Sequence, residues 1–228
     1  TTLGGFLAAS TTDFIQSIVM SIALIIVVGY GVYSVGGMEQ VIANVKDLPG
    51  FIDVVSTFDA TTSKAVSYSP ISIVSTIAWG LGYFGMPHIL LRFMAIEDEN
   101  KIKLSSRIAS IWVVIAMAVA IFIGVMGYAM STEGVIPYLK DSDTIIVQIA
   151  HVLSTHGILF AIIAGVILAG ILASTMSTSD SQLLAASSSV TENLMDGVFG
   201  IKLSEKVKVI VARCSVIIIA IIAVFLAS

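Results

Sequence analysis

Long apolar blocks separated by short charged connections dominate this sequence. The first block, residues 14–38, and the third, residues 108–130, contain no Asp, Glu, Lys or Arg. A helix needs about 20 mostly apolar residues to cross a bilayer, and each block meets that length. The pattern predicts five membrane-spanning helices at about residues 13–36, 68–92, 107–130, 157–186 and 207–228, the last of them truncated.

Two segments depart from this simple alternation. The polar connection 39–64 carries Pro49, Gly50 and several acidic residues, which predicts a short surface helix followed by a loop. In the fourth block an apolar half, 158–172, runs without a break into a polar half, 173–189, that still has helical composition. We therefore expect polar side chains where the fourth helix is still inside the protein.

Composition excludes several classes of protein. The chain is 57% hydrophobic and 11% charged, whereas soluble domains carry about a quarter charged residues. Its net charge is -4 and its basic residues are scattered, which argues against nucleic-acid binding. The fold class predicted is an all-α, polytopic transmembrane bundle in contact with the lipid bilayer. The chain begins at Thr1 instead of Met and ends within an apolar run, so we expect an internal piece of a longer protein.

Orientation follows from the Lys and Arg residues of the connections. Counted together with those near the ends of the adjoining spans, they number two, four, one and four in chain order, and the richer connections are expected on the cytoplasmic side. Residues 1–12 are then cytoplasmic, and the second and fourth spans run from outside to inside.

One face of the fourth block is lined by hydroxyl side chains. Ser174, Ser177, Thr178 and Ser181 recur at helical spacing, so they share one side of the helix. Their oxygens can replace the water shell of a hard monovalent cation such as sodium, or they can join helices by hydrogen bonds. Asp180 favours the ion, because an ionisable side chain within a membrane marks an ion or proton path, although it can also lie at the solvated interface.

An aromatic stripe precedes a proline in the second block. Trp79, Tyr83 and Pro87 are spaced four residues apart, and Pro87 removes the helical partner of the Tyr83 carbonyl and bends the helix. Nearby glycines make this segment easy to deform. The stripe is either one wall of a site for a small amphipathic solute or ordinary aromatic packing.

Asp13 and Arg92 are charges at the edges of apolar blocks. Asp13 opens the first span and is interpreted as an N-terminal cap. Arg92 is expected to reach the interface or to form a salt bridge. An alternative of another class is an intramembrane aspartyl hydrolase that uses Asp13 and Asp180, which requires the two carboxylates to lie close together.

Three segments carry a family resemblance that extends over the whole chain. They read Trp79-Gly-Leu-Gly-Tyr-Phe-Gly-Met-Pro-His88 with Arg92-Phe-Met-Ala95, Gly4-Gly-Phe-Leu-Ala-Ala-Ser-Thr-Thr-Asp13, and Met176-Ser-Thr-Ser-Asp-Ser-Gln-Leu-Leu184. The chain resembles the sodium/solute symporter family and, within it, the sodium/proline symporters.

The resemblance implies roles for individual residues. Ser177 and Thr178 match positions that give side-chain oxygens to sodium, and Ser174 matches one that gives a backbone carbonyl. Asp13 matches a position on the cytoplasmic sodium pathway, which in some members joins Ser177, Asp180 and Ser181 in a second sodium site. The residues that match the proline site are Trp79, Tyr83 and Pro87.

The function expected from the resemblance is sodium-coupled symport of L-proline across the cell's inner or plasma membrane, by alternating access. The fold implied is a core of ten helices in two inverted repeats, and we expect the full-length protein to act as a monomer and not as an enzyme. A sodium symporter for another amino acid, a carboxylate or a vitamin remains an alternative, as does a transporter-like module attached to a sensor domain. Residues 1–228 alone are expected not to transport.

Overall fold

The computed structural model describes residues 4–59, 61–83 and 85–227, and the chain forms two compact units. The first unit comprises Thr1–Ile18, Phe84–Glu97 and Leu172–Ser228, and the second comprises Val19–Tyr83 and Asp98–Ile171. The α-helices of the described residues are α1 Gly5–Val35, α2 Met38–Val45, α3 Pro70–Tyr83, α4 Pro87–Met94, α5 Ile102–Thr132, α6 Ile145–Ser154, α7 Ile158–Ser188 and α8 Glu205–Ala227. The remaining elements are β1 Ser56–Asp59, β2 Lys64–Ser67, 3-10 turns at Glu99–Lys101 and Ser142–Thr144, and a π-helix at Ser189–Val198.

Five helical segments among the described residues are long and apolar enough to cross a membrane. They are Gly5–Val35, Pro70–Met94, Glu99–Thr132, Ile158–Val198 and Glu205–Ala227. The all-α membrane class predicted from the sequence is confirmed.

The longest helices continue past the apolar blocks that predicted them. Helices α1, α5 and α7 have 31 residues each, about 46 Å at 1.5 Å per residue, while the hydrocarbon core is about 30 Å thick. Helix α1 therefore begins at Gly5, well before the charge at residue 13 that set the sequence-based boundary. Asp13 is thus an interior residue of α1, and its interpretation as an N-terminal cap is wrong.

Tight packing of α1, α2, α5, α6 and α7 forms the core of the second unit. Its fully buried side chains include Val27 of α1, Val41 of α2, Met126 of α5, Ile149 of α6 and Ile167 of α7. These residues face inward because each helix carries apolar side chains at helical spacing, and the unit buries one apolar cluster that joins all five helices.

Glycine permits a close approach of α1 and α7 in this unit. A Cβ atom added to Gly170 of α7 would lie 2.7 Å from the Cβ of Ala23 in α1, with backbone atoms of Met20 and Val19 close behind. Small residues at such crossings let helix backbones approach, which is the main source of packing energy between membrane helices.

A β-hairpin follows α2, where the sequence predicted only a surface helix and a loop. Strands β1 and β2 pair antiparallel, with Ser56 opposite Ser67 and Asp59 opposite Lys64. The surface helix is observed as α2, but the loop interpretation of residues 56–59 is wrong. Short hairpins need packing against another element, and a single sequence gives little sign of that packing.

Aromatic contacts hold this hairpin against α5. The rings of Phe51 and Tyr128 lie 5.2 Å apart, and Phe58 of β1 completes the cluster at about 6 Å from each. The Glu133 carboxylate, just after α5, accepts hydrogen bonds from Gln40 and Asn44 of α2 at 2.8 and 2.9 Å. These amides, Asn44 foremost, hold the pKa of Glu133 below its ordinary value.

In the first unit, α7 passes into the π-helix and packs on α8. The Ser187 hydroxyl donates to the carbonyl of Ala212 at 3.0 Å, and Lys208 forms an ion pair with Glu192 at 3.3 Å. The helical character predicted for the polar half of the fourth block therefore extends to Val198.

The second membrane segment is interrupted, and not only bent, before Pro87. Helix α3 ends at Tyr83, and α4 begins at Pro87 after Met86 adopts an extended conformation at φ -68° and ψ 122°. Proline is favoured at the first position of a helix, where its missing N–H has no partner to lose. The helical face expected to run from Trp79 through Pro87 is therefore not continuous.

Candidate functional site

The predicted hydroxyl side chains do share one face of α7, because the helix is continuous through all four of them. Ser174 and Thr178 are exposed, Ser177 is half-buried and Ser181 is buried. We call these four residues the hydroxyl face.

Two pairs of oxygens lie close together on this face. The Thr178 hydroxyl is 3.4 Å from the carbonyl oxygen of Ser174, a long contact for a hydrogen bond. The Ser181 hydroxyl donates to the carbonyl of Ser177 at 3.0 Å. Because the first contact is weak, the Thr178 hydroxyl oxygen remains open to another partner.

Arg92 joins α4 to both α1 and α7 within the first unit. Its Nη2 atom donates to Oδ2 of Asp13 and to Oγ of Ser181, each at 2.6 Å. The Asp13 side chain is 13% exposed and that of Arg92 is 49% exposed. The salt bridge anticipated for Arg92 is therefore present, and its partner is the candidate ion-path residue itself.

A small cavity opens beside this ion pair. Its volume is about 10 Å³, room for about one water-sized sphere, and its lining includes Ser10, Asp13, His88, Arg92 and Ser181. The second carboxylate oxygen of Asp13, Oδ1, is buried and has no hydrogen-bond partner among the described residues. Asp13, which lines this cavity, thus has one paired and one unpaired carboxylate oxygen.

Asp180 lies in a different place. It lines an open groove of about 510 Å³ between α1, α7 and α8, together with Thr12, Gln16 and the apolar side chains of α8. The Oε1 atom of Gln16 is buried there without a partner in the described part of the chain. Asp13 and Asp180 line separate cavities, which gives no support to the carboxylate pair of a hydrolase.

The aromatic stripe is partly assembled. Trp79 and Tyr83 stack one turn apart on α3, with ring centroids 5.6 Å apart and planes inclined by 33°, and both are exposed, at 72% and 47%. Pro87 opens the next helix and belongs to the other compact unit.

Arg92 is the site residue whose importance sequence reasoning underestimated. The signal that could have found it is general: a lone arginine and a lone aspartate in separate apolar segments tend to pair, because each is costly in the membrane alone. Only the fold identifies Ser181 as their shared neighbour.

The chemistry offered is that of oxygen ligands for a hard cation. Within residues 4–59, 61–83 and 85–227, no three His, Cys, Asp or Glu side chains gather as a transition-metal site would require. Hydroxyls, carbonyls and a single carboxylate suit alkali and alkaline-earth ions instead.

Comparison with known proteins extends over the full chain. The Sodium:solute symporter family matches residues 1–228. The high-affinity proline transporter PutP of Bacillus subtilis (strain 168) is 38% identical over 227 residues, covering 100% of this chain and 45% of that protein. The osmoregulated proline transporter OpuE of the same organism is 37% identical over 227 residues, covering 99% of this chain and 43% of its own length.

A relative of lower sequence identity is also named as a proline transport protein. The sodium/proline symporter of Escherichia coli (strain K12) is 34% identical over 233 residues, covering 100% of this chain and 43% of that protein. No solved structure matches the chain. The chain spans less than half the length of these curated relatives, all of which are named as transporters. With its five candidate spans, this 228-residue chain is a multi-pass membrane segment, and it belongs to the sodium:solute symporter family.

Proposed function

We propose that the full-length protein is a sodium/proline symporter of the plasma membrane that moves both solutes by alternating access. The observation that carries the proposal is the hydroxyl face of α7, which lies in a chain matched from end to end by proline transporters. On this proposal the protein is a transporter and not a hydrolase, and it works as a monomer built on ten core helices in two inverted repeats.

The hydroxyl face is proposed as half of a sodium site. The Thr178 hydroxyl and the Ser174 carbonyl oxygen are 3.4 Å apart, and two oxygens at that spacing can both contact one cation at about 2.4 Å, the distance that oxygen ligands keep from calcium. Sodium has nearly the same radius. The exposed position of Ser174 and Thr178 leaves room for ligands from the rest of the protein.

The stacked rings of Trp79 and Tyr83 are proposed as one wall of the proline site. Their exposed aromatic faces can cover an apolar ring such as that of proline.

Coupling to one sodium ion gives a useful driving force. An inward membrane potential of about 100 mV contributes ~2.3 kcal/mol per charge, and a tenfold sodium gradient adds ~1.4 kcal/mol. Together they support accumulation of a neutral zwitterion by several hundred-fold.

Uptake of proline into vesicles containing the full-length protein tests this proposal. We expect uptake to require an inward sodium gradient, and Ser177→Ala and Thr178→Val to raise the sodium concentration for half-maximal uptake by at least about ten-fold, because changes to groups around metal ligands already cost about 10–100-fold. Ser189→Ala, which removes a hydroxyl bonded to the Ala185 carbonyl, serves as the matched control.

Two results would contradict the proposal. Proline uptake that does not depend on sodium would rule out coupling. Unchanged sodium dependence in both variants would show that the hydroxyl face is not part of the ion site. A competition panel of amino acids, carboxylates and vitamins decides the solute, because proline should compete best.

A further inference from the structure

Arg92 lies where a bound cation would lie. A single nitrogen, Nη2, contacts Oδ2 of Asp13 and Oγ of Ser181 at 2.6 Å each, so two oxygens from two helices share one positive centre. The other carboxylate oxygen of Asp13, Oδ1, is buried without a partner among the described residues, and Asp13 lines a cavity of about 10 Å³. A carboxylate with one oxygen occupied and one free can accept a second small cation only at the edge of the first.

Electrostatic repulsion prevents the Arg92 guanidinium and a sodium ion from contacting Asp13 and Ser181 at the same time. A nearly buried carboxylate in an apolar helix needs a compensating charge, and the guanidinium supplies it because arginine stays protonated in proteins. A sodium ion that reaches Asp13 and Ser181 brings a second positive charge within contact distance of the first, where screening by water is weak. One carboxylate does not balance both.

We propose that Arg92 is an internal counter-ion that competes with the transported cation for Asp13 and Ser181. The arriving ion displaces the guanidinium from both oxygens, and the guanidinium returns when the ion leaves. Arg92 is therefore a positioning residue, which restores the ion pair with Asp13 after each ion has left. The identity of the ion as sodium rests on the proposed function, while the competition itself rests on the geometry.

Exposure identifies the partner that moves. The Asp13 side chain is 13% exposed and projects from the interior of α1, whereas that of Arg92 is 49% exposed and lies in the last turn of α4. A long arginine side chain can swing its charged end towards water while its stem stays packed. Release of Arg92 therefore requires no movement of the helix that carries Asp13.

Ser181 connects this exchange to the hydroxyl face. Its oxygen accepts from Arg92 while its proton is donated to the Ser177 carbonyl at 3.0 Å. When Arg92 leaves, the Ser181 oxygen is free to turn towards an ion that also contacts Asp13. The ion pair and the hydroxyl face thus share a hydrogen-bonded residue.

Equilibrium binding of radioactive sodium to the purified full-length protein, with no solute present, tests the competition. We expect Arg92→Gln to lower the Kd for sodium by about five-fold or more, in the range of coupling between two ligands. Arg92→Lys keeps the positive charge but replaces the planar guanidinium with a compact, more strongly hydrated ammonium, so its Kd should fall by a smaller factor. Arg107→Gln, which removes a positive charge from α5 outside this cluster, should leave the Kd unchanged.

A double variant separates competition from general effects of charge. In an Asp13→Asn background the contested carboxylate is gone, so adding Arg92→Gln should produce no further tightening. If thermal denaturation shows that Arg92→Gln is not folded, the test uses Arg92→Lys instead. That variant is expected to bind sodium more tightly than the unaltered protein.

Sodium binding that is unchanged or weaker in the folded Arg92 variants overturns the proposal, and so does an absence of sodium binding in both the unaltered protein and the variants. Failure of the proposed function would be seen separately, as proline uptake that does not depend on sodium, while this experiment contains no proline.

Discussion

Asp13 retains a carboxylate within an apolar helix because Arg92, from a second helix, lies 2.6 Å away. The sequence shows both residues and supplies a reason to suspect each of them. It does not pair them, because they are 79 residues apart in the chain and no local pattern spans that distance. Asp180 illustrates the opposite case. It is next to Ser181 in the sequence, but it lines the open groove beside α8 and not the small cavity that Ser181 lines.

Asp59 offers a prediction at the scale of one residue. Its carboxylate accepts hydrogen bonds from Thr61 N and Oγ1 and from Thr62 Oγ1 at 2.8, 2.6 and 2.8 Å. The hydroxyl of Thr61 is the main cause that lowers the pKa of Asp59 from 3.8 to about 2. A lowered pKa stabilises the folded hairpin above pH 3.8, and that contribution disappears as the pH falls through about 2.

Hydrogen–deuterium exchange of the two strands, corrected for the intrinsic pH dependence of exchange, measures this effect. We expect protection of Ser56–Asp59 and Lys64–Ser67 at pH 5 to decline towards pH 2. Asp59→Ala should show low protection at both pH values. Protection that is independent of pH in the unaltered protein would mean that the carboxylate does not support the hairpin.

At the scale of elements, glycine sets how closely α1 and α7 approach. Gly170→Leu places a side chain against the Ala23 Cβ and the backbone of α1, and neither can move without separating the helices. We expect destabilisation of about 1–3 kcal/mol, the usual cost of overpacking, measured as a lower midpoint of thermal denaturation in detergent.

Gly165 provides the matched control on the same helix. A Cβ atom added there meets nothing within 4 Å in the described part of the chain, so Gly165→Leu should change the midpoint much less. Equal effects of the two substitutions would show that loss of helical flexibility, and not the contact with α1, determines the result.

Element boundaries were the least predictable feature of the fold. Each apolar block overlaps one of the five candidate membrane segments. Helices α1 and α7 nevertheless continue through polar residues, because a helix already formed is propagated at little cost. Conversely, the block around Trp79 and Pro87 reads as one bent helix, whereas two helices with Met86 between them form.

At the scale of the whole molecule, the distribution of basic residues predicts which ends of the helices face the cytoplasm. We expect the connection at Glu99–Lys101 to be cytoplasmic and that at Ser142–Thr144 to be outside. Single cysteines at Glu99 and Ser142, introduced after Cys214→Ser, can be tested with a maleimide that does not cross membranes.

Labelling of Ser142→Cys in intact cells, with labelling of Glu99→Cys only after the membrane is permeabilised, would support this orientation. The reverse pattern would invert the orientation and place Asp13 and the hydroxyl face near the outer surface.

The sequence by itself determined the membrane class and the family, and it predicted five apolar segments and a shared helix side for the hydroxyl residues, because these depend on local composition, helical periodicity and short motifs. The tertiary structure decided which polar groups meet: Arg92 with Asp13 and Ser181, and Glu133 with Asn44. The physical reason is that such pairs join helices distant in the chain, and their geometry is set by the packing of apolar side chains around them, which no local pattern encodes.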